Sequence, residues 1–198
     1  MFNPPRFLVT ALLICSVHLV ALHAPALAET PAVPGLDPFD GAWERVAIEE
    51  DDAQRLSSID SAISGLSWLV RRMAAPILRS TTSPPTRYEF VVTEPDLLLG
   101  QRGKEPRPLP LDGREQSGAG PRGAFKSLSS FEDGVIETEW VVTDARGSNR
   151  YTVSEDGETL VVHHMIQITT LAGVEPIRYR SHFQRTPGVA SGPAADAD

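Results

Sequence analysis

At 198 residues, with 26 acidic against 18 basic side chains and a net charge of −8, the chain is long enough for one ordinary domain and too acidic for a nucleic-acid-binding face. The same balance argues against an anionic membrane as partner, which would also require a basic face. One cysteine, Cys15, excludes an internal disulfide, so stability rests on burial and hydrogen bonding.

Residues 1–28 read as an export signal. Arg6 supplies the positive n-region, Phe7 to Leu22 is largely apolar, and Ala26-Leu27-Ala28 is an A-x-A cleavage site. Cleavage after Ala28 leaves 17 basic and 26 acidic residues, net −9, and no cysteine. Ile14, bulky where a small residue must precede Cys15, speaks against lipidation. The expected location is periplasmic or secreted. No stable membrane insertion is expected after cleavage, since the apolar run is short against a span of about 20 residues. Residues 29–38, with three prolines and a glycine, are expected to form a disordered leader, and residues 186–198, rich in Ala, Gly, Pro and Asp, a disordered tail.

Between them, residues 39–185 read as one domain. Phe39 to Ile48 alternates as a first strand, with Trp43 as its large apolar anchor. From Asp51 the period changes to that of a helix: Leu56, Ile59, Ile63, Leu66, Val70, Met73 and Ile77 fall at steps of three and four on one stripe. The spacing predicts a single long helix over about 51–79, capped by Asp51 or Asp52 and kinked or restarted at Pro76. Trp68, Arg72 and Arg79 point away from that stripe. The preferred reading buries Trp68 on a second side, across a barrel mouth; the alternative makes it an exposed partner or lid contact. Arg72 and Arg79 read as a solvated face or as part of the same contact.

Beyond the double proline at Pro84-Pro85 come short strands at intervals of about ten residues. Tyr88, Phe90 and Val92 share one face, then Leu97 to Leu99, then a proline-rich edge strand from Lys104 to Leu111. Gln116 to Gly123 reads as the loosest loop. Phe125 to Phe131 turns at Asp133-Gly134 into Val135 to Thr143, with Ile136, Trp140 and Val142 on one side. Asp156-Gly157 marks a hairpin within Tyr151 to Ile168, whose inner face carries Leu160, Val162, His164, Ile166 and Ile168. Ile177, Tyr179, Ser181 and Phe183 share the inner face of the last strand. The fold class is therefore mainly β, an antiparallel up-and-down barrel of eight or nine strands with one long helical insertion after the first.

Gly41-x-Trp43 on the first strand, a meander after it, and Arg185 closing the last strand resemble the lipocalin and calycin pattern. Phe39-Asp40-Gly41-Ala42-Trp43 together with Tyr151 to Val162 is similar to small lipocalin-like proteins exported by bacteria. The resemblance implies that Trp43 packs at the closed end of a barrel against basic Arg185. The helical stretch is far longer than the usual lipocalin loop and no second motif of the Thr-Asp-Tyr type is present, so ligand identity does not transfer.

No enzyme class is supported by motif. Gly118-Ala-Gly120-Pro-Arg-Gly123 matches a dinucleotide fingerprint in letters only, opening no helix and following no convincing strand. His163 and His182 point outward without an evident third ligand, so neither a metal nor a cofactor is expected. His164 alone points inward. If the barrel is hollow, its ligand-binding residues are Tyr88, Phe90, Trp140, Tyr151, His164, Tyr179, Ser181 and Phe183. The leading expectation is binding of a small, largely apolar ligand. The alternatives are an envelope interaction module with a filled core and, more weakly, an isomerase or hydrolase using His164. The sequence names no protein partner.

Overall fold

The computed structural model describes residues 35–93, 96–101, 104–120 and 123–187. The expected export signal, the leader up to Pro34 and the tail beyond Pro187 lie outside them. Ten strands form one antiparallel sheet: β1 (Gly41–Val46), β2 (Arg87–Thr93), β3 (Asp96–Gln101), β4 (Lys104–Leu109), β5 (Gln116–Gly120), β6 (Gly123–Glu132), β7 (Val135–Val142), β8 (Ala145–Val153), β9 (Thr159–Ile168) and β10 (Ile177–Arg185). Their spatial order is β4-β3-β2-β1-β10-β9-β8-β7-β6-β5. Only the β1–β10 pairing joins strands that are not consecutive. In a flat sheet β2 and β8 would lie about 19 Å apart. The ring centroids of Tyr88 on β2 and Tyr151 on β8 are 5.7 Å apart, so the sheet is strongly curled.

The expected closed barrel of eight or nine strands is corrected on two counts. The tenth strand is β5, within the stretch expected to be a loose loop: it pairs with β6 from Gln116↔Ser127 to Gly120↔Gly123. No backbone ladder joins β4 to β5 among the described residues, so the sheet is a half-barrel. Across that gap Gln116 Nε2 donates to the Pro108 carbonyl at 3.2 Å. Proline explains why the sheet stops at β4, since Pro106 and Pro108 offer no donors to a further strand.

The expected single helix is two, α1 (Ile48–Ala62) and α2 (Trp68–Thr81), with the break at residues 63–67 rather than at Pro76. Ser64-Gly65 is a poor helix interior, whereas Pro76 sits inside α2 at the cost of one backbone donor. Helix α1 begins at Ile48, so neither Asp51 nor Asp52 caps it. The break divides the apolar stripe. Ile59 and Ile63 are buried, but α2 turns Leu78, Ala74 and Ala75 inward and leaves Val70, Met73 and Ile77 in solvent. Trp68, 67% exposed, is not buried across a mouth.

Helix α1 completes the sheet with side chains. β1 pairs only with His182 to Arg185 of β10, which leaves the rest of that strand's edge open. The N–H groups of Arg178, Arg180 and His182 donate to Ser58 Oγ (2.9 Å), Gln54 Oε1 (3.3 Å) and Asp51 Oδ2 (2.8 Å). Steps of three and four put these acceptors on one stripe of α1, matched to alternate donors of the strand. At the other end Trp43, fully buried, donates from Nε1 to the Phe39 carbonyl, and the Arg185 guanidinium lies 4.3 Å over its ring. Arg185 also donates to the carbonyls of Pro38, Asp40 and Gly157. Gly41 has φ +119°, and a Cβ there would come within 3.2 Å of Arg185 Nη1, so the Gly-x-Trp spacing has a steric cause. Leu36 is buried in this cluster, so the expected disordered leader is packed by its last residues.

Asp51→Ala strands two donors of His182 and is expected to cost about 1–3 kcal/mol in urea denaturation. Hydrogen exchange at the amides of Arg180 and His182 should accelerate ahead of that at Phe183.

Candidate functional site

Inward-facing residues form two apolar clusters with a polar layer between them. The first, at the Trp43 end, holds Tyr88, Phe90, Tyr151 and Phe183, each at most 2% exposed and in ring contact at 4.9–6.0 Å. These four expected ligand contacts are packed against one another. Burial pushes the Tyr151 hydroxyl up to about 12 and raises Tyr88 as well, so both are un-ionised at neutral pH. The second cluster lies under the helices, where Ile59, Ile63 and Leu78 meet Val174, Ile177 and Tyr179. The Tyr179 hydroxyl donates to the Thr82 carbonyl at 2.7 Å.

His164 and Ser181 come together in the polar layer. Asn149 Oδ1 lies 2.8 Å from His164 Nδ1, and Ser181 Oγ lies 3.3 Å from Nε2. An amide oxygen only accepts, so Nδ1 carries the proton and Nε2 accepts from the serine. Tyr179 stacks on the imidazole at 4.5 Å. The chain of groups runs in the order of nucleophile, base and orienting group. However, Ser181 is fully buried, and burial, with Arg45 and His163 adding to it, pushes His164 down to about 3. The imidazole is therefore neutral at physiological pH, and the chain of hydrogen bonds ties β8, β9 and β10 together. Arg45 also faces inward. Its Nη2 donates to Asp52 Oδ1 at 2.8 Å, while its buried Nε has no partner among the described residues. Burial pushes Asp52 up, but hydrogen bonds and charge from Arg45 and Arg55 outweigh it and hold the carboxyl low.

Trp140 stands apart from the other expected contacts. With Phe125 and Val142 it forms the inner face at one end of β6 and β7, and these three are half-buried and outside both clusters. A Cβ on Gly147 would fall 2.5 Å from Trp140 Cζ2 and closer still to the Met165 carbonyl, so only glycine lets this ring lie down. Phe125 lies in the same way over Gly118. Arg107 reaches across the β4–β5 gap to 6.0 Å from the Phe125 ring. Strand parity marks Phe125, Asn149 and Arg45 as inward, but the sequence reading passed over them as site residues. Trp68 and Arg72 lie exposed on α2, and Arg79 there pairs with Asp60 at 3.1 Å.

No protein-family model matches the chain, and no curated protein matches it in sequence. Solved structures do. The SAHS protein of Ramazzottius varieornatus superposes with a TM-score of 0.50 at 13% identity, over 75% of this chain and 96% of its own. A Schistosoma mansoni fatty acid binding protein in complex with arachidonic acid gives 0.45 at 14% identity, over 77% and 98%. Zebrafish ileal bile acid-binding protein complexed with cholic acid gives 0.43 at 14%, over 75% and 99%. Such identities speak to fold alone.

Acidification should destabilise the protein through His164. A folded-state value of about 3 against about 6.5 unfolded means that the unfolded chain binds the extra proton between those values. The contribution is complete above pH 6.5 and is lost as pH falls toward 3, on the order of 5 kcal/mol in all. Urea midpoints measured from pH 7 to pH 4 should fall, and His164→Gln should flatten that dependence. Ten curled antiparallel strands with two helices after the first give the chain a calycin fold.

Proposed function

We propose that the chain is an exported, periplasmic or secreted protein that binds a small, largely apolar molecule on the open part of its concave face. The observation carrying this reading is the inner wall of Phe125, Trp140 and Val142, aromatic and inward-facing yet covered by neither cluster. Arg107 flanks it with a cationic group that would orient a ligand. An apolar surface with few polar groups is the usual make-up of a small-molecule site. The fatty acid and bile acid named with two of the similar structures belong to the same chemical class. The test is a fluorescence titration with 1-anilinonaphthalene-8-sulfonate, displaced by oleate. Saturable binding is expected, weakened about tenfold or more in Trp140→Ser and in Phe125→Ser, as expected for loss of about 1.4 kcal/mol of contact. No saturable binding, or equal binding by both variants, would refute it.

The exposed face of α2 favours a second reading, as an envelope interaction module. Trp68, Leu69, Met73 and Ile77 are each more than half exposed, and the helix carries Arg71, Arg72 and Arg79 with no acidic residue. Single exposed apolar residues are ordinary, but this many on one helix are not needed by the fold. Trp68→Ser should change unfolding free energy by no more than about 0.5 kcal/mol. Crosslinking from position 68 in envelope extracts should give one discrete adduct, absent in Met73→Glu; a smear unaffected by that change would dismiss the reading.

A further inference from the structure

On the outside of β7–β10 the register lines up residues that do not neutralise one another. Glu137, Arg150, His163 and Arg180 form one cross-strand row, and Glu139, Ser148, Met165 and Arg178 the next. His163 is flanked directly by arginine on both sides. Arg150, Arg178 and Arg180 have no ion-pair partner among the described residues, in a chain whose net charge is −8. Arg150 and Arg180 thus stand on either side of one imidazole, two strands apart, and their repulsion is not screened by an ion pair. All residues of the two rows but Glu139, with His164 and Tyr179 at its base, line an open cleft of about 360 Å³, bordered on one side by Gln54 of α1. Gln54 has spent its oxygen on the Arg180 N–H, so what it has left to offer the cleft is the donor end of its amide. Glu137, at the β7 border, is the single acid lining the cleft among the described residues.

We propose that this cleft binds a phosphoryl group, free or carried on a larger molecule, through Arg150, Arg178 and Arg180, with Gln54 and Ser148 as neutral donors. Guanidinium forks match a tetrahedral oxyanion in shape, and a dianion offsets more than one of the three charges. Burial, then Arg180, Arg150 and His182, hold the His163 imidazole below its ordinary value, so a bound anion would raise it again. His163 thus reports occupancy, with Glu137 on β7 as the acid in the cleft and Asp51 and Glu50 on α1 beside the neighbouring His182 and Arg180. The three arginines lie on the opposite face of the sheet from Phe125 and Trp140, so neither reading depends on the other.

The experiment follows the imidazole resonances of the full chain during titration with sodium phosphate, against sodium chloride at matched ionic strength. A saturable shift and an upward move of the His163 midpoint are expected with phosphate alone. Arg150→Gln and Arg180→Gln should each weaken binding about fivefold or more. Arg146→Gln, on the same face outside the cleft, should leave it unchanged. Co-sedimentation with phosphatidylglycerol vesicles that requires Arg150 and Arg180 would assign the phosphoryl group to a lipid; binding of inorganic phosphate without it would assign a soluble ligand. Chloride matching phosphate, or Arg146→Gln matching the cleft variants, with no vesicle binding, would overturn the proposal.

Discussion

The hydrogen bonds from the edge of β10 to Asp51, Gln54 and Ser58 set the geometry of the rest of the molecule. A short first strand that gives way to a helix at Ile48 would normally leave its neighbour's donors bare. The polar stripe of α1 takes them instead, at a spacing where helix and strand periods coincide. With that stripe fixed on β10, Ile59 and Ile63 must face across Ile177 and Tyr179, and the helical pair is held over one end of the half-barrel. Asp51 matters most of the three acceptors because it is buried and binds both the backbone and the ring of His182.

Held in this way, the interior divides into layers. Aromatic rings fill the Trp43 end, aliphatic side chains fill the helical end, and Asn149, His164 and Ser181 satisfy one another between them. Ser129 and Thr138 do the same at 3.1 Å one strand pair further round. Satisfied polar groups in a low-dielectric interior fix one arrangement and resist rearrangement. The wall of β6 and β7 beyond them has no such cover, because the sheet stops at β4 and β5 instead of closing. The same missing closure that breaks the barrel exposes Phe125 and Trp140.

Much of this was legible in the residues. Alternation gave the inward set on β2, β7, β9 and β10, and the change of period at Asp51 marked the helical insertion between the first two strands. The misses have physical causes. Gln116 to Gly120 is poor in β-formers and is held as a strand by its partner β6, which no local pattern reports. The apolar stripe ran unbroken through Ser64-Gly65, so periodicity outweighed two weak breakers and Pro76 drew the attention instead. Burial could not be read from facing alone: Tyr88, Phe90, Tyr151 and Phe183 are inward but pack on one another, while Trp140 is inward and half uncovered. The outer row of Arg150, His163 and Arg180 needed the strand register before the two arginines could be placed on either side of the histidine.

The central functional claim is that the uncovered inner wall is a binding surface and not a gap in packing. Native mass spectrometry of the protein purified from its own host tests it most directly. The account predicts a discrete mass increment from a small apolar molecule that is lost in the Phe125→Ser, Trp140→Ser double variant. A bare chain in the parent protein, or an increment that survives in the double variant, would contradict it.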